Sequence, residues 1–277
     1  MIYLHPMLKI LKIFKPYLPK KIIKIIANLI NPSVKYKGPF DNWNDAKSFS
    51  SGWSDKKILE KVYKSLIKSF DMKGVYERDG ELVNDLKYPE NIVNFLNSNL
   101  NENGQIIDFG GSLGSLYFQI RSKLLFKNIK WSVLEQSNYV ELGKRKIKNE
   151  ELDFFNNVDE IQVNNNTILI FSSVLQYLEN PEKVINLFLN TKFIEHVVVD
   201  RVILSNSKEN KIYIQKNPKK YFNTSYPIII FSEKIFLKYF KKMKIVIKDK
   251  SYVGENFELD NAKLYYCNII FSRVKGS

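Results

Sequence analysis

Residues 105–115 read Gln-Ile-Ile-Asp-Phe-Gly-Gly-Ser-Leu-Gly-Ser, and this stretch decides the fold. A short apolar run breaks into Gly110, Gly111 and Gly114, which is typical of a buried strand that enters a tight turn with positive φ angles. The segment 115–127 has helical spacing, with one apolar face formed by Leu116, Ile120, Leu124 and Leu125. The order of strand, glycine turn and helix predicts the start of an α/β sheet with a ligand at the turn.

A second short apolar run, residues 131–134, ends in Glu135. This acid follows Gly114 by about twenty residues, the spacing at which the tip of a second strand presents a carboxylate to the two hydroxyls of a ribose. The sequence therefore predicts that the ligand is nucleotide-like.

The glycine pattern narrows the choice of ligand. A dinucleotide fingerprint, Gly-x-Gly-x-x-Gly from Gly110, fails because Ser112 and Ser115 occupy its second and third positions. The phosphate-cradling pattern Gly-x-x-x-x-Gly-Lys-Ser/Thr does not occur at the turn. Asp108, just before the turn, would repel phosphates but suits an ammonium group or free hydroxyls, which favours S-adenosylmethionine.

The chain resembles class I S-adenosylmethionine-dependent methyltransferases, and in particular a bacterial methyltransferase family often encoded among genes for surface polysaccharides. The resemblance runs from about residue 41 to the C-terminus, and its matching segments are 76–79, 108–115, 131–136, 172–178, 200–201 and 224–227. It implies an α/β, Rossmann-like class I methyltransferase fold: a mostly parallel seven-stranded sheet with an antiparallel edge strand, plus an N-terminal helical extension. It also implies O-methylation of a sugar hydroxyl on a surface-glycan precursor.

Three units are predicted along the chain: a basic amphipathic segment (1–40), a helical lead-in or cap (41–100) and the S-adenosylmethionine-binding domain (101–277). In the lead-in, helices are expected from the capping pair 54–55 to about Phe70 and from Pro89 to about Leu96. In the domain, residues 203–231 are interpreted as a long connection and a candidate lid. The predicted strands are 105–109, 131–135, 153–155, 167–171, 196–201, 243–248 and 263–272.

Composition excludes several classes of site. The formal net charge is +14, but only five of the 43 basic residues are Arg, so a nucleic-acid partner is disfavoured. One cysteine, Cys267, excludes an intramolecular disulfide and is expected to be a buried strand thiol. Two histidines and one cysteine cannot form a zinc cage, and we expect no metal.

Residues 1–40 contain eight Lys and no acid, and Pro16 and Pro19 interrupt their apolar pattern. The apolar runs are too short and too charged to span a bilayer. Two readings stay open: residues 1–30 contact the anionic surface of the inner membrane, or their apolar face packs on the catalytic domain or a partner chain. Either reading predicts a cytoplasmic protein, in the first case peripheral to the inner membrane.

Candidate site residues follow from the rule that ligands bind at the carboxyl ends of parallel strands. Asp200 is the first candidate for a catalytic base toward a hydroxyl acceptor, followed by Tyr177 and Glu179. Tyr226 and Gln215 are candidates for shaping the acceptor pocket, whereas His196 is expected to be structural. The predicted cofactor-binding residues are Asp108, Gly110, Gly111, Ser112, Gly114, Glu135, Gln136, Asn157, Ser172, Ser173 and Arg78.

Other function classes were weighed against these residues. A non-catalytic methyltransferase-fold subunit that supports a partner enzyme would tolerate loss of the glycine turn or Glu135, and both are intact. A nucleotide-sugar or nicotinamide-dependent Rossmann enzyme usually has a Tyr-x-x-x-Lys pair near its site, but Asn217 stands four residues after Tyr213. The pair with this spacing, Tyr17 and Lys21, lies in the basic segment ahead of the predicted fold. Methylation of RNA or of another small molecule also remains an alternative. The oligomeric state is not predicted.

Overall fold

The computed structural model describes residues 34–52, 56–84, 88–164, 166–218, 224–251, 257–260 and 262–274. Residues 1–33 of the predicted amphipathic segment (1–40) and the capping pair 54–55 lie outside these residues. Among the described residues, no helix is both long and apolar enough to cross a bilayer.

The described residues form strands and helices that alternate through most of the chain. The strands are β1 (Lys35–Phe40), β2 (Val75–Arg78), β3 (Glu81–Asn84), β4 (Gln105–Phe109), β5 (Lys130–Leu134), β6 (Leu152–Phe155), β7 (Thr167–Ser172), β8 (Ile194–Ser205), β9 (Lys211–Lys216), β10 (Ser225–Ser232), β11 (Met243–Ser251), β12 (Phe257–Leu259) and β13 (Ala262–Arg273). The α-helices are α1 (Trp43–Ser48), α2 (Lys56–Phe70), α3 (Glu90–Asn99), α4 (Ser115–Ile120), α5 (Ser137–Lys146), α6 (Pro181–Leu189) and α7 (Glu233–Tyr239).

Seven strands form the predicted sheet, in the order β6-β5-β4-β7-β8-β13-β11. The first five run parallel, and β13 runs antiparallel to both β8 and β11. The chain thus winds outward from β4 in one direction and from β7 in the other, as in doubly wound folds. The predicted Rossmann-like fold is confirmed, including the antiparallel hairpin of β11 and β13 at one edge.

Apolar side chains cover both faces of this sheet. On one face, Ile106, Trp131 and Ile170 pack with residues of α2 and α3. On the other face, Leu169 and Phe171 pack with residues of α6 and α7. The alternation of side chains along the parallel strands therefore buries both faces, and only the strand ends are left for a ligand.

The interpretation of residues 203–231 as a long connection is wrong, because strands lie within this range. Within this range β8 continues to Ser205, and β9 and β10 pair antiparallel with each other. The Ile- and Tyr-rich runs of β9 and β10 suit pleated, half-buried strands, whereas the Asn and Lys around them are typical of loops. Strand β10 also pairs parallel with the end of β8, which joins these added strands to the main sheet.

Three smaller differences concern the lead-in, the first helix and the N-terminal segment. The predicted helical lead-in contains a hairpin of β2 and β3 between α2 and α3. The helix predicted over 115–127 ends as α4 at Ile120 and continues as a 3₁₀ turn over Arg121–Lys123. Lys35–Phe40, within the predicted N-terminal segment, pairs with β9. The three predicted units themselves stay predictions.

Candidate functional site

The carboxyl ends of the parallel strands lie in one row. Phe109 is opposite both Leu134 on β5 and Phe171 on β7, and Ser172 is opposite Asp200 on β8. Since β4 leads to β5 on one side and β7 leads to β8 on the other, the crevice of the sheet opens between β4 and β7. The segments after β4, β5, β7 and within β8 that were predicted to form the site therefore meet at one edge.

The turn after β4 requires glycine for two different reasons. Gly110 and Gly114 have φ angles of 72° and 81°, in the left-handed region. At Gly111 the constraint is contact, because an added Cβ would lie 2.5 Å from Cγ of Asp108. Ser112 also has a positive φ, 56°, so the turn is strained where Gly would be more usual.

Asp108 is fully buried beneath this turn. Nε1 of Trp131 donates a hydrogen bond to Oδ2 of Asp108 at 3.3 Å, whereas Oδ1 has no partner among the described residues. Burial, reinforced by the negative charges of Glu135 and Asp200, raises the pKa of Asp108 to about 7. A buried carboxylate oxygen without a donor is costly, and a ligand N–H or O–H would satisfy it.

Glu135 follows β5 and is held by backbone N–H groups. Its Oε1 accepts from N–H of Ser112 at 3.3 Å, and its Oε2 accepts from N–H of Gln136 at 2.7 Å. Burial raises the pKa of Glu135, and these two hydrogen bonds oppose the increase. Each oxygen keeps a further acceptor position, so the carboxylate is preorganised for two adjacent hydroxyls.

A β-bulge in β8 presents Asp200 and Arg201 together. Val199 pairs with Ile269 and Val202 with Cys267, so two residues of β8 oppose the single residue Asn268. Arg201 has a φ of 54°, and its N–H donates to Oδ1 of Asn268 at 3.0 Å. The bulge explains why neighbouring side chains of one strand reach the same site.

Asp200 is fully buried and connected to β7. Its Oδ2 accepts from Oγ of Ser172 at 2.7 Å and lies 3.0 Å from Nε of Arg201. Nη2 of Arg201 also donates to Oγ of Ser172 at 2.8 Å. In the described part of the chain Oδ1 of Asp200 has no hydrogen-bond partner, so it is a second buried acceptor that suits a ligand donor.

Tyr88, just before α3, was missed by sequence reasoning. Its side chain is buried, and its hydroxyl has no hydrogen-bond partner among the described residues. Burial raises its pKa well above the ordinary value, with the charge of Asp200 as the next cause and Asp108 contributing. Three buried oxygen atoms without partners thus belong to neighbouring residues. Nothing in the local sequence around Tyr88 signals this, because its burial depends on the packing of α3.

Glu77 on β2 was also missed, although it lies in the 76–79 segment of the resemblance. Oγ of Ser115 donates to its carboxylate, as does N–H of Gly80 at 2.7 Å. Nε2 of Gln119 donates to the backbone carbonyl of Glu77 at 3.1 Å. Burial raises the pKa of Glu77 to about 7. These contacts attach the β2–β3 hairpin to the start of α4, next to the glycine turn.

The added strands bring tyrosines to the region after β7. The rings of Tyr177 and Tyr226 meet edge to face, with centroids 5.2 Å apart. The hydroxyl of Tyr177 donates to Oε1 of Gln215 at 3.3 Å, and Nε2 of Gln215 donates to the hydroxyl of Tyr226 at 3.4 Å. Tyr36 and Tyr266 pack against the same apolar cluster as Tyr177. We call Tyr36, Tyr177, Tyr226 and Tyr266 the tyrosine cluster.

Other predicted residues are exposed or make local contacts. The Oδ1 atom of Asn157 accepts from N–H of Asp159 at 3.1 Å and caps a turn. Glu179 and the side chain of Gln136 are exposed. His196 lies near the start of β8 with Nδ1 2.7 Å from Oγ of Ser272, as a structural residue would. The roles assigned to Asn157, Glu179 and Gln136 stay predictions.

Cys267 is a buried strand residue, as expected. Within the part of the chain that the structure describes, no group of three or more His, Cys, Asp or Glu side chains is arranged to hold a metal ion.

Comparison with known proteins finds similarity in structure only. No protein-family model and no curated protein matches the chain. A Methanosarcina mazei S-adenosylmethionine-dependent methyltransferase is 11% identical, with 68% of this chain and 98% of that chain covered and a TM-score of 0.46. A Burkholderia thailandensis 1,6-didemethyltoxoflavin-N1-methyltransferase with bound S-adenosylhomocysteine is 10% identical (89% and 98% covered, TM-score 0.45). Coclaurine N-methyltransferase with bound S-adenosylhomocysteine is 9% identical (81% and 90% covered, TM-score 0.46). At this level of identity the likeness concerns the fold alone.

Proposed function

We propose that this protein is an S-adenosylmethionine-dependent methyltransferase. The observation that carries the proposal is the pair of carboxylates at the crevice: Asp108 with a buried, unpartnered oxygen, and Glu135 held by two backbone N–H groups. When bound, S-adenosylmethionine supplies an electrophilic methyl group on a sulfonium. The donor groups of this cofactor, an ammonium and two ribose hydroxyls, match the two acceptors.

The predicted cofactor contacts of Glu135 and Asp108 have a physical basis in this arrangement. Glu135 would accept from the ribose hydroxyls, and Oδ1 of Asp108 from the ammonium group. Gly110 and Gly111 keep the turn packed on the protein, because an added Cβ would lie 2.5 Å from Val174 or from Asp108, respectively. The ends of β6 and β7 bound the same crevice, where Asn157 and Ser172 are predicted to contribute.

The acceptor is proposed to be a sugar hydroxyl of a surface-glycan precursor. Oδ1 of Asp200 is buried and unpartnered within the described residues, so it can accept the proton of a hydroxyl as that oxygen gains the methyl group. Tyr36, Tyr177 and Tyr266 of the tyrosine cluster are partly exposed, whereas Tyr226 is buried. Partly exposed rings beside hydroxyl and amide groups suit a sugar ring. In-line positioning and exclusion of water would supply most of the rate enhancement.

Isothermal titration calorimetry with S-adenosylhomocysteine tests this proposal, with NAD as the comparison ligand. A Glu135→Gln variant should weaken the binding of S-adenosylhomocysteine by about 10- to 100-fold, because a hydrogen bond to a charged group contributes roughly 1.5–3 kcal/mol. A Glu141→Gln variant is the matched control, since Glu141 is exposed on α5. Folded protein that binds NAD or neither ligand would overturn the proposal.

A further inference from the structure

The guanidinium groups of two arginines, Arg78 and Arg201, interact with the buried carboxylate of Asp200. Arg78 ends β2, directly after Glu77, whose side chain binds the start of α4. Arg201 lies in the bulge of β8 and donates to Ser172 at the end of β7. Both side chains are mostly shielded from solvent, with exposed fractions of 30% and 21%. Strand β2 and the bulge of β8 therefore hold the backbones of the two arginines.

The two guanidinium groups differ in how their charge is balanced. Arg201 lies 3.0 Å from the buried carboxylate of Asp200. For Arg78, the salt-bridge partner is Asp79, at 3.9 Å, and the Asp79 side chain is 80% exposed. A pair of this length and exposure contributes little. Arg78 thus keeps most of its hydrogen-bonding capacity for another anion.

Electrostatic interactions show that the two arginines share one environment. Burial lowers the pKa of Arg78, and the positive charge of Arg201 is the next cause. Tyr266, a member of the tyrosine cluster, interacts with both guanidinium groups. Arg78 also interacts with Asp200, the predicted catalytic base. The two positive charges therefore lie close enough to interact with each other, with Asp200 and with Tyr266, and a bound anion would relieve their repulsion.

We infer that the methyl acceptor carries an oxyanion, a carboxylate or a phosphate, that binds Arg78 and Arg201 while its hydroxyl faces Asp200. Guanidinium groups suit these anions because their N–H groups match two oxygens at once. The inference rests on the proposed function and narrows its acceptor to acidic or phosphorylated sugars. Arg78 then determines specificity for the acceptor and does not bind the cofactor.

Side-chain NMR of the full chain tests the inference directly. The sequence contains five arginines, so the Nε–Hε signals can be assigned with five single Arg→Lys variants. Inorganic phosphate is added to the protein at constant ionic strength, with sodium chloride as the comparison salt. The titration is done with and without S-adenosylhomocysteine. We expect saturable shifts of the Arg78 and Arg201 signals, whereas exposed Arg145 on α5 should respond only linearly. Saturable shifts at neither Arg78 nor Arg201 would overturn the inference.

Two further arms identify the source of the oxyanion and the role of Arg78. Glucose 1-phosphate and glucuronate are compared with neutral glucose by the same signals, and at least one of the two anions should bind about tenfold more tightly than glucose. An Arg78→Gln variant should abolish that preference and leave the affinity for S-adenosylhomocysteine unchanged. An Arg145→Gln control should change neither the preference for the anionic sugar nor the affinity for S-adenosylhomocysteine. If Arg78→Gln instead weakens S-adenosylhomocysteine, Arg78 binds the cofactor and the inference is wrong. If S-adenosylhomocysteine never binds but phosphate does, only the proposed function fails.

Discussion

Replacing Asp108 with Asn should stabilise the protein at high pH. Burial raises the pKa of Asp108 from its ordinary value of 3.8 to about 7, so the folded state resists ionisation that the unfolded state accepts. At roughly 1.4 kcal/mol per pKa unit, the folded state loses about 4 kcal/mol relative to the unfolded state once the pH exceeds 7. Asn removes this penalty, and its Oδ1 atom can still accept the hydrogen bond from Trp131.

The sign and size of the effect follow from linkage. As the pH rises from 5 to 8, the wild type should lose about 3 kcal/mol of unfolding free energy relative to Asp108→Asn, with no further change above the pKa. The side-chain N–H groups that Asn introduces are buried without partners, which lowers the gain in stability by about 1–2 kcal/mol. At pH 8 we therefore expect Asp108→Asn to be more stable than the wild type by about 2–3 kcal/mol.

Urea denaturation at pH 5, 6, 7 and 8 measures this difference from the midpoints and slopes. Asp71→Asn is the matched control, because Asp71 is exposed and its replacement should leave the stability unchanged at every pH. Asp108→Asn should also bind S-adenosylhomocysteine at least about tenfold more weakly than the wild type, since it loses the charged acceptor. A stability difference that stays constant between pH 5 and pH 8 would refute the burial of an ionisable carboxylate beneath the turn.

Two other substitutions separate the site from the scaffold. Gly111→Ala places a Cβ 2.5 Å from Cγ of Asp108. We therefore expect thermal melting to show a destabilisation of about 1–3 kcal/mol, and calorimetry to show loss of S-adenosylhomocysteine binding. Unchanged stability and binding would show that the turn can accommodate a Cβ. His196→Gln should lower the free energy of unfolding by about 1 kcal/mol, because the hydrogen bond to Ser272 is lost. S-adenosylhomocysteine binding should stay unchanged, and weaker binding would show that His196 belongs to the site.

Local sequence was sufficient to predict the core of the sheet and the segments that meet after β4 and β5. Asp108, the glycine turn and Glu135 depend on short-range rules: a buried run, positive φ angles and the spacing from one strand tip to the next. The backbone N–H of Ser112 donates a hydrogen bond to Glu135, so these two segments meet as predicted. Their contacts with a cofactor are still a prediction.

The remaining features depend on pairing between distant segments. Strand β1 meets β9 across more than half of the chain, and no local pattern in 203–231 records that pairing. The bulge that turns Arg201 toward Ser172 arises from the register between β8 and β13. Glu77 is buried where β2 meets the start of α4, and Ser115 of that helix donates to its carboxylate. Sequence periodicity describes one element at a time and therefore missed these contacts.

A crystal structure of the protein grown with S-adenosylhomocysteine tests the central claim most directly. The proposed function predicts the ligand across the ends of β4 and β5, with both ribose hydroxyls within hydrogen-bonding distance of the Glu135 carboxylate. It also predicts that Oδ1 of Asp108 gains a donor. A ligand bound elsewhere, or a ribose that does not contact Glu135, would contradict the assignment of this crevice as the cofactor site.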